Sequence, residues 1–334
     1  MIMGREISIV LCCHNSSQRL PATLLHLSKL KIDEGLSWEI VLVDNASTDN
    51  TGTTANSLWT ELGSKCSLNI VTEEKRGVHH ARITGMRAAQ YDLVVFCDDD
   101  NWLSANYLMV ALSVMSERQI GVCGGRGKAV FEEEEPEWFA RYEGVFGCGR
   151  QGRGEGVLNW DAIGMYSAGM VIRKSIVLNL FDAGYQARFA ARNDKGLSGG
   201  EDFELVVLVR TAGYKAYYTD SLVFEHYMPA GRMSWDYLKR LVKGATVNAA
   251  IAYVYADTLR YIYTNDKRYR VSWVKDILKA VYGFFLVKIK SPRDLQIAWI
   301  RMAGNICSVL GHKSRYSLYK AELKRVFDLT HHKD

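Results

Sequence analysis

The sequence predicts an α/β fold in which a mostly parallel sheet is flanked by helices and followed by a helical C-terminal region. Three observations predict it. Up to residue 213, short apolar runs of strand length alternate with stretches of helical periodicity. Those runs are nearly continuous Val, Ile and Leu, which is typical of strands buried on both faces. Residues 234–328 carry helical patterns throughout.

The first elements alternate regularly. Strands are predicted at 7–13, 38–44, 68–73, 93–98 and 120–125, and helices at 20–30, 77–89 and 104–117. Ser104 is the residue expected to cap the last of these helices. Because a strand–helix–strand unit returns its second strand parallel to the first, this alternation predicts a parallel sheet covered by helices.

The next elements complete the predicted first domain. A strand that enters a helix is expected at 168–174, a helix at 199–213, and two short strands within 214–229. Glu201 and Asp202 lie in the first turn of the predicted helix, where the helix dipole favours acids. We therefore expect a sheet-containing domain at residues 1–232 and a helical region at residues 233–334.

The C-terminal region differs in charge from the rest of the chain. From Arg232 onward there are 20 Lys and Arg against 8 Asp and Glu, about +12, so the preceding residues carry 22 against 29, about −7. The most apolar piece, 277–289, is too short to span a bilayer. It fits a helix lying on a membrane surface. The alternative is a helical subdomain that packs on the core.

The cysteines and the N-terminus indicate a reducing compartment. Seven cysteines occur, without a CxxC motif, and several lie in apolar strand-like runs. The chain enters its first predicted strand directly, without the pattern of a signal peptide. We expect a cytoplasmic protein with reduced thiols, located peripherally on the cytoplasmic face of the membrane.

Polar side chains follow three of the predicted strands. They are Cys13-His14-Asn15, Asp44-Asn45 and Asp98-Asp99-Asp100. In open α/β sheets, ligands bind outside the carboxyl ends of the strands. Three adjacent carboxylates repel one another, and a bound divalent cation would offset that repulsion. The alternative for the triplet is a solvated turn that caps the next helix.

Six segments in order resemble the family 2 glycosyltransferases with the GT-A (Rossmann-like) fold. They are "IVLCCHN", "EIVLVDNASTDNT" (39–51), "RGVHHARITGMRAA" (76–89), "VVFCDDDNWL" (94–103), "GGED" (199–202) and "VFEHYMPAGR" (223–232). The resemblance covers roughly residues 5–232. It implies transfer of a sugar from a nucleotide-diphosphate donor to an acceptor hydroxyl.

The acidic triplet is the expected metal site. Strand periodicity places the first and third carboxylates of an Asp-x-Asp on one side, so we expect Asp98 to contact the ribose or the metal and Asp100 to bind the metal directly. The resemblance points to His226 as a third ligand. The expected ion is Mn²⁺ or Mg²⁺, and a histidine ligand favours Mn²⁺.

The resemblance also implies the remaining donor contacts. Asp44 would bind the nucleoside base, and Asn15 belongs to the floor of the nucleotide pocket. Arg76 and Arg82 are candidates for the base or the diphosphate. Arg232 would lie in a segment that closes over the diphosphate.

Asp202 matches the position of the family's catalytic base, and Glu201 would orient the acceptor. Asp202 would take the proton of the attacking hydroxyl. Direct attack opposite the leaving diphosphate would invert the anomeric centre. The alternative is that both acids only stabilise the helix N-terminus.

The predicted function is therefore an inverting, metal-dependent glycosyltransferase that acts on a glycan or lipid-linked acceptor in cell-surface polysaccharide or glycolipid assembly. Two alternatives are a nucleotidyltransferase and a non-catalytic protein that binds nucleotide sugars. The first needs a Gly-rich loop after the first strand, and "CCHNSSQRL" lacks one. Nucleic acid is not an expected partner, because the basic residues are spread among apolar helical positions.

Overall fold

A computed structural model describes residues 5–151, 154–159, 164–189 and 197–331. The chain divides into two compact units. The first takes the described residues of Met1–Leu158, Gly164–Asp182 and Tyr214–Ala230, and the second takes those of Asn159–Ile163, Ala183–Gly213 and Gly231–Asp334. The sequence places one boundary at residue 232, whereas here Ala183–Gly213 also joins the second unit.

The first unit contains the sheet. Its strands are β1 (Glu6–Cys13), β2 (Ser37–Asn45), β3 (Ser67–Glu73), β4 (Leu93–Asp98), β5 (Asn101–Leu103), β6 (Ile120–Phe131), β7 (Gly156–Val157), β8 (Val171–Arg173) and β9 (Lys215–Met228). Their order is β3-β2-β1-β4-β8-β6-β9-β5, with β7 paired to β9. Strands β3, β2, β1 and β4 run parallel, as do β6 and β9. Strand β8 is antiparallel to both of its neighbours.

Helices cover this sheet. They are α1 (Leu20–Ser28), α2 (Thr51–Glu61), α3 (Val78–Ala88), α4 (Tyr107–Met115), α5 (Phe139–Tyr142) and α6 (Lys174–Asp182). Helix α1 buries Leu20, Leu24 and Leu27, whose three- and four-residue spacing puts them on one face. They join a core that includes Ile7, Ile9 and other residues of the parallel strands. This arrangement confirms the predicted α/β class.

Two predicted elements differ from the structure because of distant pairing. The helix expected from Ser104 begins at Tyr107, since Asn101–Leu103 form β5 and pair with β9. The two short strands expected within 214–229 are the single strand β9. Its pairing with β6 shifts register between Gly124 and Arg126, so the strand carries an irregularity within its length.

The second unit is helical. Its helices are α7 (Glu201–Thr211), α8 (Trp235–Thr246), α9 (Ala249–Thr264), α10 (Trp273–Leu286), α11 (Pro292–His312) and α12 (Tyr316–His331). Three of them begin at a serine whose hydroxyl accepts a backbone N–H bond: Ser234, Ser272 and Ser291. A core cluster joins α7, α9, α11 and α12 through residues that include Val207, Tyr255, Val309 and Leu323.

Within the described residues, every helix is too short or too polar to cross a membrane. All seven cysteines are free thiols.

Candidate functional site

Three parallel strands bring their carboxyl ends to one edge of the sheet. Strand β1 pairs with β2 and with β4, and Cys13 is opposite Asp44 while Cys12 is opposite Asp98. The residues that follow these positions therefore emerge side by side. This places the polar groups after β1, β2 and β4 at the edge where α/β sheets bind ligands.

Asp98 lies beside Arg82. The Arg82 Nη2 atom is 3.5 Å from the Asp98 Oδ1 atom. Arg82 comes from α3, is almost fully buried, and holds its guanidinium 5.6 Å from the centroid of the Phe96 ring. Strand β4 ends at Asp98, whereas Asp99 and Asp100 occupy a turn. The alternation of side chains along a strand therefore does not place Asp98 and Asp100 on the same side, contrary to the expectation from the sequence.

Asp99 faces the start of α1. Its Oδ2 atom accepts hydrogen bonds from the Ser16 hydroxyl and from Arg19 Nη2, the latter at 2.6 Å. Its carbonyl accepts a bond from the Thr23 hydroxyl at 2.7 Å. Burial and the neighbouring Asp100 raise the pKa of Asp99, while the bonds from Arg19 and Ser16 oppose that rise. Asp99 thus fixes the turn to α1. The sequence gives little sign of Arg19, because its partner is 80 residues away.

Asp100 is next to His226. Strands β5 and β9 are antiparallel with Asn101 opposite His226, and the Tyr227 N–H donates to the Asp100 carbonyl at 2.9 Å. His226 Nε2 lies 3.4 Å from Asp100 Oδ1, which also accepts a bond from Asn101 Nδ2 at 3.2 Å. His226 Nδ1 is buried, and no described residue forms a hydrogen bond with it.

These donors fit a divalent cation chemically. A carboxylate oxygen beside an imidazole nitrogen is a donor set that suits Mn²⁺ and, through its oxygens, Mg²⁺. Nowhere in the described parts of the chain do three His, Cys, Asp or Glu side chains converge in a ready metal-binding group. Asp100 and His226 are close together, whereas Asp98 lies by Arg82.

Asn15 and Asp44 shape the loop after β2. Asn15 has a left-handed backbone (φ 47°), and its side-chain oxygen accepts a bond from the Thr48 N–H at 2.7 Å. Asp44 Oδ1 accepts a bond from the Ser47 N–H at 3.2 Å. Both predicted nucleotide-binding residues therefore hold the 46–48 turn at the sheet edge.

His14 connects this loop to Arg76. Its Nδ1 atom is 2.8 Å from the Asn45 carbonyl, and its Nε2 atom is 2.5 Å from Arg76 Nη2. Since a carbonyl only accepts and a guanidinium only donates, Nδ1 carries the proton of a neutral ring. Arg76 is exposed and held at the same edge as Asp44.

Buried Asn45 fixes the segment that carries Arg76. Its Nδ2 atom donates to the carbonyls of Glu73 (3.0 Å) and Lys75 (2.8 Å), and its Oδ1 atom accepts from the Gly77 N–H (2.8 Å). Gly77 has φ 137°, which disfavours any other residue. The sequence marks Asn45 as a polar strand end but gives no sign of this bridging role.

Glu201 and Asp202 open α7 in the second unit. Glu201 is buried, and Asp202 Oδ1 accepts a bond from the Phe203 N–H at 2.8 Å. Gly200 precedes them with φ 117°, and a Cβ there would lie 2.6 Å from the Phe189 ring. The Gly199 carbonyl accepts a bond from Asn248 Nδ2 at 2.9 Å. The start of α7 is thus fixed by neighbours within its own unit.

Glu204, one turn into α7, is buried in a polar network. Its Oε1 atom accepts bonds from the Tyr185 hydroxyl (2.6 Å) and the Arg188 N–H (2.7 Å). Burial raises the pKa of Glu204 to about 7, and these bonds oppose the rise. Arg188 also forms a forked pair with Glu322 of α12.

Arg232 ends a short 3₁₀ turn, Ala230–Arg232, ahead of α8. The structure therefore gathers Asn15, Asp44, Arg76, Arg82, Asp98, Asp100 and His226 in the first unit, while Glu201, Asp202 and Arg232 belong to the second.

Comparison with known proteins adds independent information. The family model described as Glycosyl transferase family 2 matches residues 8–181. The "Uncharacterized glycosyltransferase YfnE" of Bacillus subtilis (strain 168) is 27% identical over 147 residues, which are 42% of this chain and 36% of that protein. The "Undecaprenyl-phosphate 4-deoxy-4-formamido-L-arabinose transferase" of Serratia proteamaculans (strain 568) is 28% identical over 96 residues, 29% of each chain. The chain thus matches about a third of the length of these relatives.

Two solved structures have a similar fold. S. aureus TarS 1-349 in complex with UDP-GlcNAc matches with a TM-score of 0.53 at 14% identity, over 94% of this chain and 92% of that chain. The mannosyltransferase PcManGT from Pyrobaculum calidifontis, in complex with GDP-Man and Mn²⁺, matches with a TM-score of 0.53 at 17% identity. The match covers 99% of this chain and 88% of that chain. At these identities the likeness shows the fold.

Proposed function

The chain belongs to glycosyl transferase family 2, and from this premise we propose that it is an inverting, metal-dependent glycosyltransferase. It would move a sugar from a nucleotide-diphosphate donor to the hydroxyl of a glycan or lipid-linked acceptor, in the assembly of cell-surface polysaccharide or glycolipid. The observation that carries the proposal is the acidic turn after β4, with His226 of β9 beside Asp100. Glycosyl transfer is the activity of the family, and the metal, the inversion and the acceptor are proposed here.

The donor would bind at the carboxyl ends of β1, β2 and β4. Asp44 and Asn15 would contact the nucleoside, because they border the turn at that edge. Arg76 and Arg82 would place positive charge near the diphosphate, and the buried Arg82 would do so without a large entropy cost. The TarS and PcManGT complexes with UDP-GlcNAc and GDP-Man support a donor of this class.

Asp98, Asp100 and His226 would hold Mn²⁺ or Mg²⁺. When bound, the ion would neutralise negative charge on the diphosphate as it leaves. The closeness of His226 Nε2 to Asp100 Oδ1 and the Mn²⁺ in the PcManGT structure support this assignment. Asp99 would serve the site indirectly, because its bonds to Ser16 and Arg19 fix the turn.

Asp202 would act as the general base. It would accept the proton of the acceptor hydroxyl as that oxygen forms its bond to the anomeric carbon and the bond to the diphosphate breaks. A single displacement of this kind inverts the anomeric centre and needs no covalent sugar–protein intermediate. Glu201 would orient the acceptor, and Arg232 would close on the diphosphate. The Serratia relative, named for an undecaprenyl-phosphate substrate, supports a lipid-linked acceptor.

The test compares Asp202→Asn with the wild-type protein. A panel of nucleotide sugars is supplied with Mn²⁺, and release of nucleoside diphosphate is measured, with water as acceptor if no other is known. General-base catalysis contributes roughly 10²–10⁴-fold, so release should fall by that factor while donor binding persists. Asp236→Asn is the matched control, because Asp236 also lies in the first turn of a helix. An equal loss of nucleoside diphosphate release in both variants would show that Asp202 only stabilises the N-terminus of its helix.

A further inference from the structure

Helix α10 and the start of α11 carry an apolar stripe that faces solvent. We call this stripe the α10–α11 face; it comprises Val274, Leu278, Tyr282, Phe285, Leu286, Ile289, Leu295 and Trp299. The members on α10 recur at intervals of three or four residues, so they form one side of the helix. Phe285 is 75% exposed and Tyr282 is 64% exposed. So many large apolar side chains in one continuous stripe mark an interaction surface.

The opposite side of the same segment packs within the helical unit. Ala280, Ile297 and Ala298 are buried there. Asp276 is also buried and pairs with Lys279 at 3.1 Å, and Lys279 and Lys275 both reach the buried Asp257. These contacts fix the orientation of α10. The outward face is therefore not needed for the core of the unit and remains open to a partner.

The exposed charges of the segment that carries this face are of one sign. Between Trp273 and Arg301 the acidic residues are Asp276 and Asp294, and both are buried. Exposed basic residues flank the apolar stripe: Lys288, Lys290, Arg293 and Arg301. An apolar stripe flanked by exposed cations of its own segment complements a surface that is apolar inside and negatively charged outside. An anionic lipid bilayer has this composition.

The length and aromatic content of the segment decide how it would bind. Helix α10 has 14 residues, so it extends about 21 Å and is shorter than the hydrocarbon core of about 30 Å. Tyr282, Phe285 and Trp299 are side chains that favour the membrane–water interface. We propose that the α10–α11 face binds the surface of an anionic bilayer, with α10 lying in the plane of the interface. This inference concerns localisation and stands apart from the catalytic proposal.

The experiment measures flotation of the full-length protein with vesicles. One set is phosphatidylcholine alone, and the other contains phosphatidylglycerol in addition. The wild-type protein should float with the anionic vesicles and lose binding as salt is raised. Phe285→Ser with Leu286→Ser should lower the partition coefficient about tenfold or more. Lys288→Glu with Lys290→Glu should lower it by a similar factor, and only for the anionic vesicles.

Leu318→Ser with Leu329→Ser is the control, because both leucines are exposed on α12 outside the face. This control should float like the wild-type protein. Thermal unfolding of every variant checks that the fold is kept. Absence of flotation, equal flotation with neutral vesicles, or equal loss in the control would overturn the proposal. So would a dimer that Phe285→Ser with Leu286→Ser dissociates without any vesicle binding, because a second copy would then cover the face.

Discussion

His226 Nε2 lies 3.4 Å from Asp100 Oδ1, and this contact joins the acidic turn after β4 to the long strand β9. It depends on the three-residue strand β5, which pairs Asn101 with His226. A histidine 126 positions further along the chain is thereby brought to the last aspartate of the triplet. The pairing of two strands, and not the sequence near the triplet, places the imidazole.

The first prediction concerns His226. Asp100 Oδ1, which faces the His226 Nε2 atom, also accepts a bond from Asn101 Nδ2, so replacing the ring should not leave that oxygen unsatisfied. We expect His226→Asn to raise the Mn²⁺ concentration needed for binding of nucleoside diphosphate by at least about tenfold. Calorimetric titration of Mn²⁺ at fixed nucleotide measures this. His331→Ala, at the end of α12, is the control, and an unchanged Mn²⁺ requirement in His226→Asn would exclude a ligand role.

The second prediction concerns Arg82. Its guanidinium is buried beside Asp98, and a charge in a buried position would attract a diphosphate more strongly than one in water. Arg82→Met should weaken donor binding about ten- to hundredfold, the loss of one charge-assisted contact. Arg87→Met on the same helix is the control, because Arg87 is half exposed and pairs with Asp182. Equal affinities of the two variants in a nucleotide titration would argue against Arg82 as a donor contact.

The third prediction concerns Asn45. Asn45→Ala removes three hydrogen bonds to the 73–77 segment and leaves buried groups unpaired. The free energy of unfolding should fall by about 2–4 kcal/mol, and donor affinity should fall as Arg76 loses its fixed position. Urea unfolding and nucleotide titration measure the two effects. The exposed Asn56→Ala is the control, and a stability of Asn45→Ala equal to that control would contradict the bridging role.

The fourth prediction is a pH dependence from Glu204. Its pKa in the folded protein is raised from 4.5 to about 7, so the folded state binds the proton more tightly than the unfolded state. The free energy of unfolding should therefore fall as pH rises from about 4.5 to about 7, by up to about 3 kcal/mol.

Glu204→Gln removes this titration and should flatten the profile in the same window. Chemical denaturation at a series of pH values measures both proteins. Glu61→Gln, at an exposed position on α2, serves as the control and should keep the wild-type slope. A wild-type slope that persists in Glu204→Gln would assign the pH dependence to another group.

Sequence patterns predict the elements that follow from local periodicity. The parallel strands β1 to β4 and the helices α1 and α3 have the predicted order, because the strands are apolar runs and these two helices have helical spacing. Helix α2, between β2 and β3, was not predicted. Strand β5 and the continuity of β9 were missed, because they depend on pairing between residues more than 90 positions apart. Short strands of this kind carry little periodicity of their own.

The residues of the candidate site also divide into those that the local sequence indicates and those that only the fold brings together. Asp44, Asp98 and Asp100 could be chosen from the sequence because they directly follow apolar runs. Arg19 could not, since only the fold brings it to Asp99. The membership of α7 in the second unit was also missed, because the cluster that Val207 forms with residues of α9, α11 and α12 is not visible in the local pattern.

The central proposal is that the acidic turn holds a divalent ion together with a nucleoside diphosphate. Its most direct test is the thermal unfolding of the wild-type protein and Asp100→Asn with UDP, GDP, ADP, CDP and dTDP, each with and without Mn²⁺. We predict that one of these nucleotides raises the unfolding temperature of the wild-type protein only when Mn²⁺ is present, and that Asp100→Asn shows no such rise. Stabilisation that is the same without Mn²⁺, or that persists in Asp100→Asn, would contradict the proposal.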